Sequence, residues 1–527
     1  MGAGRARHTG RIAMTLTELL AHWSITENPF RGEEARDDSV FARMSVPGHG
    51  PGLDAAHGSF HSDFEKIMGD LARPATAIVF GEKGSGKTAI RLQMAARVGE
   101  YNAANPTAKV LLVAHDDLNG HLGRFHERAG AKTPLESFQS MRLVDHMDAL
   151  LLTIVPHLVD AVLDAPGGTS MIELSDEPKR AVRRLDPTAR RSFRLLQAVY
   201  DRPELAEKRG PMLARRLGVW PSPVRLLQTA ALWLGPVALL GAAVWWQFYL
   251  DETQRATWMT GAFLGLAALY LALLIKRVGW DRFTGMKLAR RVRRQVRVST
   301  RTATSYHRSL RRLDLAGSLD LPVSDSDEAR YRLFGELRRI LASFGYAGLV
   351  IVVDRVDEPT LVSGDPDRMR ALVWPLLNNK FLQQPGVGVK LLLPMELRHL
   401  LFKESSAFFQ DARLDKQNFI ERLSWTGAML YDMCDARLRA CRPATAAPMS
   451  MLDLFAPDVT RQDVVDALDQ MHQPRDAFKF LYRCLSEHAS GVTRDENAWK
   501  VPKLVLDHAR KQEVDRVMQL QRGIRPA

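Results

Sequence analysis

Short apolar runs, each ended by polar or glycine-rich residues, recur along the chain beside longer amphipathic segments. Each of the short apolar runs carries at most one lysine, near its start, as expected of parallel strands that are buried on both faces. Amphipathic helical patterns lie next to them, for example over residues 89–98 and 328–344. This alternation predicts an α/β fold in which helices flank a parallel sheet. The predicted strands cover residues 77–80, 109–114, 348–353 and 389–393.

Two longer uncharged runs interrupt this pattern, at residues 226–250 and 256–275. As helices they would extend roughly 38 and 30 Å, which matches a hydrocarbon core of about 30 Å. Because only residues 251–255 join them, they predict a transmembrane helical hairpin. The alternative is a pair of buried helices in a large soluble core, although such helices seldom lack charge for so long. Aromatic residues near the tip would lie at a membrane interface: Trp245, Trp246, Tyr249 and Trp258.

Positive charge is concentrated beside the second run. Residues 276–312 contain thirteen Lys or Arg residues and one acid, and so carry +12 of the formal net charge of +13. Basic residues also precede the first run, so the positive-inside rule places both hairpin ends in the cytoplasm. We therefore expect a multi-pass protein of the inner (cytoplasmic) membrane whose residues 276–312 contact anionic lipid headgroups. Contact of these residues with nucleic acid is the second interpretation. Neither run contains an ionisable residue, which argues against an ion channel.

Residues 81–88 read Gly-Glu-Lys-Gly-Ser-Gly-Lys-Thr, the complete GxxxxGK[ST] pattern of a phosphate-binding loop. The pattern lies between a predicted strand and a predicted helix, so backbone N–H groups and the helix dipole would converge on an anion. Lys87 would reach the β- and γ-phosphates, and the Thr88 hydroxyl would bind Mg²⁺. We expect ATP and Mg²⁺ as cofactors. The predicted nucleotide-binding residues are Gly81, Glu82, Lys83, Gly84, Ser85, Gly86, Lys87 and Thr88.

A carboxylate that holds the Mg²⁺ is expected at the end of a neighbouring strand. Asp354 directly follows the apolar run 348–353 and is the predicted metal ligand. The next position commonly holds a Glu that polarises the attacking water, but here it is Arg355. Asp357 or Glu358 would then take the role of catalytic base. The alternative is slow hydrolysis, with the protein acting as a switch.

Near the C-terminus, Pro474 and Arg475 open an amphipathic helical pattern. Proline favours the first turn of a helix, from which Arg475 would project. In a lid packed over the nucleotide, Arg475 would contact the γ-phosphate and report its loss. A capped surface helix is the alternative. Glu396 is a further candidate for sensing the γ-phosphate, whereas Arg413 either reaches the phosphate of a neighbouring protomer or is ordinary surface charge.

Together these residues resemble the AAA+/STAND branch of P-loop NTPases, and within it the KAP family of membrane-associated NTPases. KAP proteins carry transmembrane helices between their two nucleotide-binding motifs, where residues 226–275 lie here. Their second motif ends in a run like Asp-Asp-Leu-Asp-Arg, which residues 354–358 match at Asp354 and Asp357. Their lid carries a Pro-Arg motif of the kind noted above. Residues 27–30, Glu-Asn-Pro-Phe, are similar to the entry segment of secretion-type ATPases.

The resemblance implies a bacterial protein in phage defence or stress signalling, acting as a homo-oligomer or with a protein partner. Three functions are compatible with it: a membrane-anchored ATPase switch, a protein-remodelling motor and a nucleic-acid-binding ATPase. The slow turnover implied by Arg355 favours the switch.

The predicted organisation has seven segments. They are an N-terminal entry segment (1–74), the first half of the P-loop NTPase domain (75–160), a helical connector (161–225), the hairpin (226–275), a basic juxtamembrane segment (276–324), the second half of the NTPase domain (325–430), and a helical lid and tail (431–527).

Overall fold

The computed structural model describes residues 13–31, 34–44, 61–164, 171–174, 177–219, 223–249, 258–313 and 321–521. Helices surround a five-stranded parallel sheet, which confirms the predicted α/β class. Four strands extend the predicted apolar runs by one to three residues, and a fifth, three residues long, leaves no comparable run in the sequence. The strands are β1 Ala77–Gly81, β2 Lys109–His115, β3 Tyr346–Val353, β4 Val387–Pro394 and β5 Asn418–Ile420.

The strands lie in the order β2-β3-β4-β1-β5, and all neighbouring pairs are parallel. Their carboxyl ends consequently meet at one edge of the sheet, the carboxyl edge. In register, Gly81 of β1 is opposite Pro394 of β4, and Val353 of β3 is opposite Leu391 of β4 and His115 of β2. Open parallel sheets bind ligands at this edge, so the polar residues that follow each strand are candidates for one site.

The helices before the hairpin cover the sheet and begin the path away from it. Several start at a capping residue or a proline, for example Thr133 and Pro134. They are α1 Leu16–His22, α2 Ser39–Met44, α3 Phe64–Met68, α4 Lys87–Ala104, α5 Asn119–Ala129, α6 Pro134–Gln139, α7 Leu143–Leu163, α8 Pro178–Arg183, α9 Pro187–Tyr200 and α10 Ala206–Arg216.

The remaining helices form the hairpin, return the chain to the sheet and build a C-terminal helical unit. The first group is α11 Pro223–Tyr249, α12 Trp258–Leu274, α13 Asp281–Gln295, α14 Ala303–Leu310 and α15 Asp327–Ser343. Between and after β3 and β4 come α16 Pro366–Val373, α17 Asn379–Leu382, α18 Met395–Leu401 and α19 Ser406–Ala412. The lid helices are α20 Gly427–Ala440, α21 Arg461–Asp469, α22 Pro474–Gly491 and α23 Lys503–Gln521.

Three clusters of buried apolar side chains hold these elements together. Strand β1 divides its side chains between two of them, since Ile78 and Phe80 face one side of the sheet and Ala77 and Val79 the other. The third cluster joins the lid helices to the N-terminal segment, which contributes residues from Met14 onward. The N-terminal segment and the lid therefore share one core.

Two helical stretches in the described part of the chain are long and apolar enough to cross a membrane. One is α7, Leu143–Leu163, which is 72% buried and is a core helix of the folded protein. The other is Leu226–Trp245 within α11, and none of it is buried. The first run of the predicted hairpin is therefore an exposed apolar helix, not a helix of a soluble core.

Helix α12 packs beside α11, with the ring of Tyr270 over Gly235, where a Cβ atom would lie 2.4 Å from the ring. The apolar part of α12, Phe263–Leu274, is shorter than the candidate span in α11. The chain then continues through a π-helical turn, Ile275–Trp280, directly into α13. The predicted tip, residues 251–255, lies outside the described residues.

The basic segment 276–312 is only partly available to an external partner. Arg301 is 1% exposed and donates a 2.6 Å hydrogen bond to Ser309 Oγ. Arg297 forms a 2.5 Å ion pair with Asp145 of α7, whose side chain is fully buried. These two arginines attach the segment to the protein, which corrects the expectation that the whole stretch faces headgroups. The exposed cations include Arg282, Lys287, Arg290, Arg291, Arg293, Arg294, Arg308 and Arg312.

Three histidines lie together beside the carboxyl end of β2. The rings of His115 and His121 are 5.7 Å apart, and His146 Nε2 has no hydrogen-bond partner among the described residues. Burial lowers the pKa of His115 to about 3 and the pKa values of His121 and His146 to about 4. The folded protein therefore keeps these rings neutral at pH values where the unfolded chain binds protons.

We expect the melting temperature to fall as the pH is lowered from 7 to 5. Below about pH 6.5 the unfolded state binds more protons than the folded state. The free energy of unfolding therefore has its full value above that pH and falls toward pH 4, by up to about 1.4 kcal/mol per pH unit for each histidine. His146→Gln should flatten this dependence, whereas His399→Gln, at an exposed position, should not. Tryptophan-fluorescence melts of the full chain in detergent measure both, and equal slopes in wild type and His146→Gln would contradict the prediction.

Candidate functional site

The turn between β1 and α4 holds an open helix N-terminus at the carboxyl edge. Gly84 and Gly86 have φ values of +100° and +94°, which favour glycine, and Ser85 N donates to Glu82 O at 3.2 Å. Gly86 occupies the N-cap position of α4 and supplies no side-chain cap. The first N–H groups of a helix have no intrahelical partner and carry the positive end of its dipole. This turn can therefore hold an anion.

Lys87 opens α4 and folds its side chain back over the turn. Its Nζ donates to Gly81 O at 2.7 Å and to Glu82 O at 2.9 Å. Burial lowers the pKa of Lys87, while the nearby carboxylates of Asp354, Asp357 and Glu396 act in the opposite direction. A cation and three acidic residues thus share one electrostatic environment at the carboxyl edge.

Asp354 follows β3 and faces the first turn of α4. Thr88 Oγ1 donates to Asp354 Oδ2 at 3.2 Å, and the backbone N–H of Arg355 donates to Oδ1 at 2.9 Å. Arg91, one turn beyond Lys87, places its Nε 3.6 Å from Oδ2. Burial raises the pKa of Asp354, and Arg91 and then Lys87 oppose that rise. The site therefore pairs a hydroxyl with a carboxylate that is surrounded by donors.

The Thr88–Asp354 pair fits a hard divalent cation, because Mg²⁺ prefers oxygen ligands and is usually held by one or two protein side chains together with substrate phosphates. In the described part of the chain there is no cluster of three or more His, Cys, Asp or Glu that would form a complete protein cage. The residues present are suited to sharing a metal with a phosphorylated ligand.

Arg355 determines which of the two predicted bases is available. Its φ is +60°, and its guanidinium forms 2.8 Å ion pairs with Glu34 and with Glu358. Glu358 is thus engaged by a neighbouring cation. Asp357 is among the carboxylates whose charge raises the pKa of Lys87, so it lies in the electrostatic environment of the turn.

The first turn of α22 packs on the glycine turn. A Cβ atom on Gly84 would lie 3.0 Å from Arg475 Cβ, and one on Gly86 would lie 4.0 Å from Pro474 Cγ. Trp425 also contacts the glycine turn, because its Nε1 donates a hydrogen bond to Ser85 O at 2.8 Å. Arg475, the predicted γ-phosphate sensor, therefore lies against the glycine turn. Pro474 is the first residue of α22.

A cavity of about 370 Å³ opens between the turn, the lid and the N-terminal segment. It is lined by seven of the predicted site residues besides the two glycines: Lys83, Lys87, Thr88, Asp354, Asp357, Glu358 and Arg475. Glu396 also borders it. The structure thus gathers residues from positions 83 to 475 into one concave site.

Four predicted residues have other surroundings. Glu82 forms a 2.7 Å ion pair with Arg422, and Ser85 is buried with no partner for its hydroxyl among the described residues. Gly81 ends β1, and a Cβ atom there would lie 2.4 Å from Ser85 Oγ, so it permits the close turn. Arg413 borders a separate groove beside Phe402 and does not line the cavity. Its surroundings in this chain agree with the alternative of surface charge.

The N-terminal segment is a part of the site that sequence reasoning did not assign. Besides the Glu34–Arg355 pair, Arg36 forms a 2.7 Å ion pair with Asp116, which follows β2. Arg91 pairs with the same Asp116 at 3.3 Å. The only sequence signal was the Glu-Asn-Pro-Phe resemblance at residues 27–30, which says nothing about these contacts.

Comparisons with protein-family models, curated proteins and solved structures find no match to this chain. The assignment of a function accordingly rests on the residues of the cavity and their geometry.

Gly84→Ala should loosen the contact between the turn and the lid. The substitution puts a side chain at a left-handed φ and 3.0–3.2 Å from Arg475 atoms, and strain of this kind costs about 1–3 kcal/mol. We expect a lower melting temperature for the full chain. Gly99→Ala is the matched control, because it lies in α4, the helix that follows the turn, with no atom within 4 Å, and should be neutral or stabilising. Equal effects of the two substitutions would show that the turn does not constrain the fold.

Proposed function

We propose that this chain is a membrane-anchored P-loop ATPase that binds ATP with Mg²⁺ as a conformational or assembly switch. The observation that carries the proposal is the position of Lys87 and Thr88 on a glycine turn, with Asp354 hydrogen-bonded to Thr88 and Arg475 packed against the turn. An anion site, a metal-binding pair and a cation from the lid in one cavity are the parts that phosphoryl-transfer sites need.

Phosphate binding would use groups that the turn already holds. The N–H groups at the start of α4 would donate to phosphate oxygens, and Lys87 would exchange its contacts with Gly81 O and Glu82 O for the β- and γ-phosphates. Thr88 and Asp354 would hold Mg²⁺, which neutralises phosphate charge when it is bound. Arg91 adds positive charge beside the Asp354 carboxylate.

The switch would act through the lid. Because Arg475 lies on the turn and its neighbour Asp476 forms a 2.7 Å ion pair with Arg516 of α23, a change at the γ-phosphate would reach two lid helices. The N-terminal segment shares the lid core and would respond with it. Such a change could expose a surface for a second copy or for a protein partner.

Hydrolysis would be slow. The Glu expected after Asp354 is replaced by Arg355, which binds Glu34 and Glu358 instead of activating water. Asp357, whose charge acts on Lys87, is the proposed base. Slow turnover suits a protein that signals its nucleotide state rather than one that performs continuous work.

The exposed hairpin helices α11 and α12 would anchor the protein in the inner membrane. Large apolar side chains such as Trp233, at 78% exposure, cannot remain in water as an extended surface without a partner. The exposed cations of α13 would lie against anionic headgroups on the cytoplasmic side, together with the ATP site. Insertion of this hairpin between the two nucleotide motifs supports the resemblance to KAP proteins and, through it, a role in defence or stress signalling.

Lys87→Ala and Asp354→Asn should abolish Mg²⁺-dependent ATP binding by the full chain in detergent. Wild-type turnover should lie below about 1 s⁻¹, the low end of the enzyme range. Asp357→Asn should lower it by about a hundredfold or more, as loss of a general base does. Glu358→Gln, at a neighbouring carboxylate held by Arg355, is the control and should lower it little. Wild-type ATP binding by Lys87→Ala would refute the proposal.

Membrane topology can be read by cysteine labelling of intact bacterial cells, because all three native cysteines are buried. We expect Thr253→Cys, in the predicted tip, to react with a membrane-impermeant maleimide before lysis. Thr300→Cys, exposed beside α13, should react only after lysis. Reaction of both sites only after lysis would contradict a spanning hairpin, and salt-sensitive binding of DNA by the lysate protein would then favour the nucleic-acid interpretation.

A further inference from the structure

Arg355 directly follows the metal-binding carboxylate and borders the cavity. Its backbone N–H is attached to Asp354 Oδ1 by the 2.9 Å hydrogen bond, so its Cα lies beside that carboxylate. A metal ion in such a site bridges the β- and γ-phosphates. The terminal phosphate of the proposed ligand would consequently lie within reach of the long Arg355 side chain.

Two acidic side chains hold the guanidinium of Arg355 in the structure. Its Nη2 donates to Glu34 Oε2 at 2.8 Å. Its Nε lies 2.8 Å from Glu358 Oε2 but makes no hydrogen bond in the described part of the chain. Burial acts to lower the pKa of Arg355, but the carboxylates of Glu358, Glu34 and Asp354 raise it overall. The guanidinium is therefore a charged group whose hydrogen-bonded partner is Glu34.

The contact between Glu34 and Arg355 is suited to being exchanged. The Glu34 side chain is 52% exposed, and an exposed ion pair contributes little to stability because water screens it. A triphosphate offers several anionic oxygens, and contacts between guanidinium and phosphate are often bidentate and strong. Arg355 would therefore gain by exchanging the single carboxylate of Glu34 for a terminal phosphate.

Glu34 connects this exchange to the N-terminal segment. Two further ion pairs attach the same part of the segment, Arg36 with Asp116 after β2 and Asp38 with Arg437 of the lid. Loss of the Glu34 contact would leave the segment joined to the lid and to the end of β2. Its attachment to Arg355, at the end of β3, would then depend on whether a γ-phosphate is present.

We propose that Arg355 distinguishes ATP from ADP by exchanging its contact with Glu34 for the γ-phosphate, which releases this part of the N-terminal segment from the end of β3. The inference rests on the proposed function, because it needs the triphosphate in the same cavity. Arg475 would contact the same phosphate from the lid. The two arginines would thus report the γ-phosphate to the lid and to the N-terminal segment, which share one core.

The exchange predicts opposite effects for its two partners. Glu34 competes with the phosphate for Arg355, so Glu34→Gln should tighten the binding of ATP. Arg355→Gln removes the cation and should weaken it. ADP lacks the γ-phosphate, so both variants should bind it as wild type does. If the pair only supported the fold, loss of either partner would act in the same direction on both nucleotides.

The experiment is calorimetric titration of the full chain in detergent with Mg²⁺ and either ADP or β,γ-imido-ATP, an ATP analogue that is not hydrolysed at the γ-phosphate. Wild type should bind the analogue more tightly than ADP. Glu34→Gln should tighten the analogue about threefold, as expected for an exposed ion pair. Arg355→Gln should weaken it at least about tenfold.

Glu27→Gln is the matched control. Glu27 forms an ion pair with Arg43 in the same N-terminal segment, and it is not among the described residues that line the cavity. The substitution therefore removes a similar ion pair without touching Arg355. We expect its affinities for both nucleotides to equal those of wild type.

The outcomes separate this inference from the proposed function. Failure of wild type to bind either nucleotide would overturn both. An affinity for the analogue that Glu34→Gln leaves unchanged or weakens would overturn the exchange and leave nucleotide binding intact. Because Glu34 is exposed, this variant decides the question even if Arg355→Gln fails to fold.

Discussion

The buried carboxylate of Asp354 is the constraint on which the rest of the site depends. At 1% exposure it must find its partners within the protein. Leaving such a charge unpaired would cost several kcal/mol, whereas one hydrogen bond contributes about 1 kcal/mol, so several partners are needed at once. They come from α4 and from the chain itself: Thr88, Arg91, Lys87 and the backbone of Arg355. These contacts hold the first turns of α4 at the carboxyl end of β3.

A second layer of ion pairs closes the cavity with segments that are far away in sequence. Glu34 and Arg36 of the N-terminal segment reach residues that follow β3 and β2, and Asp38 reaches the lid through Arg437. The side chains of the rim pairs are more exposed than those of the Asp38–Arg437 pair. Since the segment and the lid share one apolar core, they form one wall of the site.

Much of the fold was predictable because its signals are local. Buried parallel strands appear in the sequence as apolar runs. The strand–turn–helix around Gly84 and Lys87 is recognised by the spacing of its glycines and its lysine. Strand β5 was not predictable, since three residues make too short a pattern. In the same way, Glu358 and Asp357 are equivalent in the sequence, and only the ion pair with Arg355 separates them. Arg297 and Arg301 read as surface charge, yet the fold buries or pairs them.

The amino-acid sequence by itself determined the α/β class, the exposed apolar helix α11 and the identity of the residues on the glycine turn, because each depends on neighbours a few positions apart. Only the tertiary structure decided which distant residues complete the cavity. Arg91 faces Asp354 because the first turns of α4 lie at the carboxyl end of β3, and Asp38 meets Arg437 across about 400 residues because the N-terminal segment enters the lid core. Pairings of this kind depend on packing between elements, which no local pattern encodes.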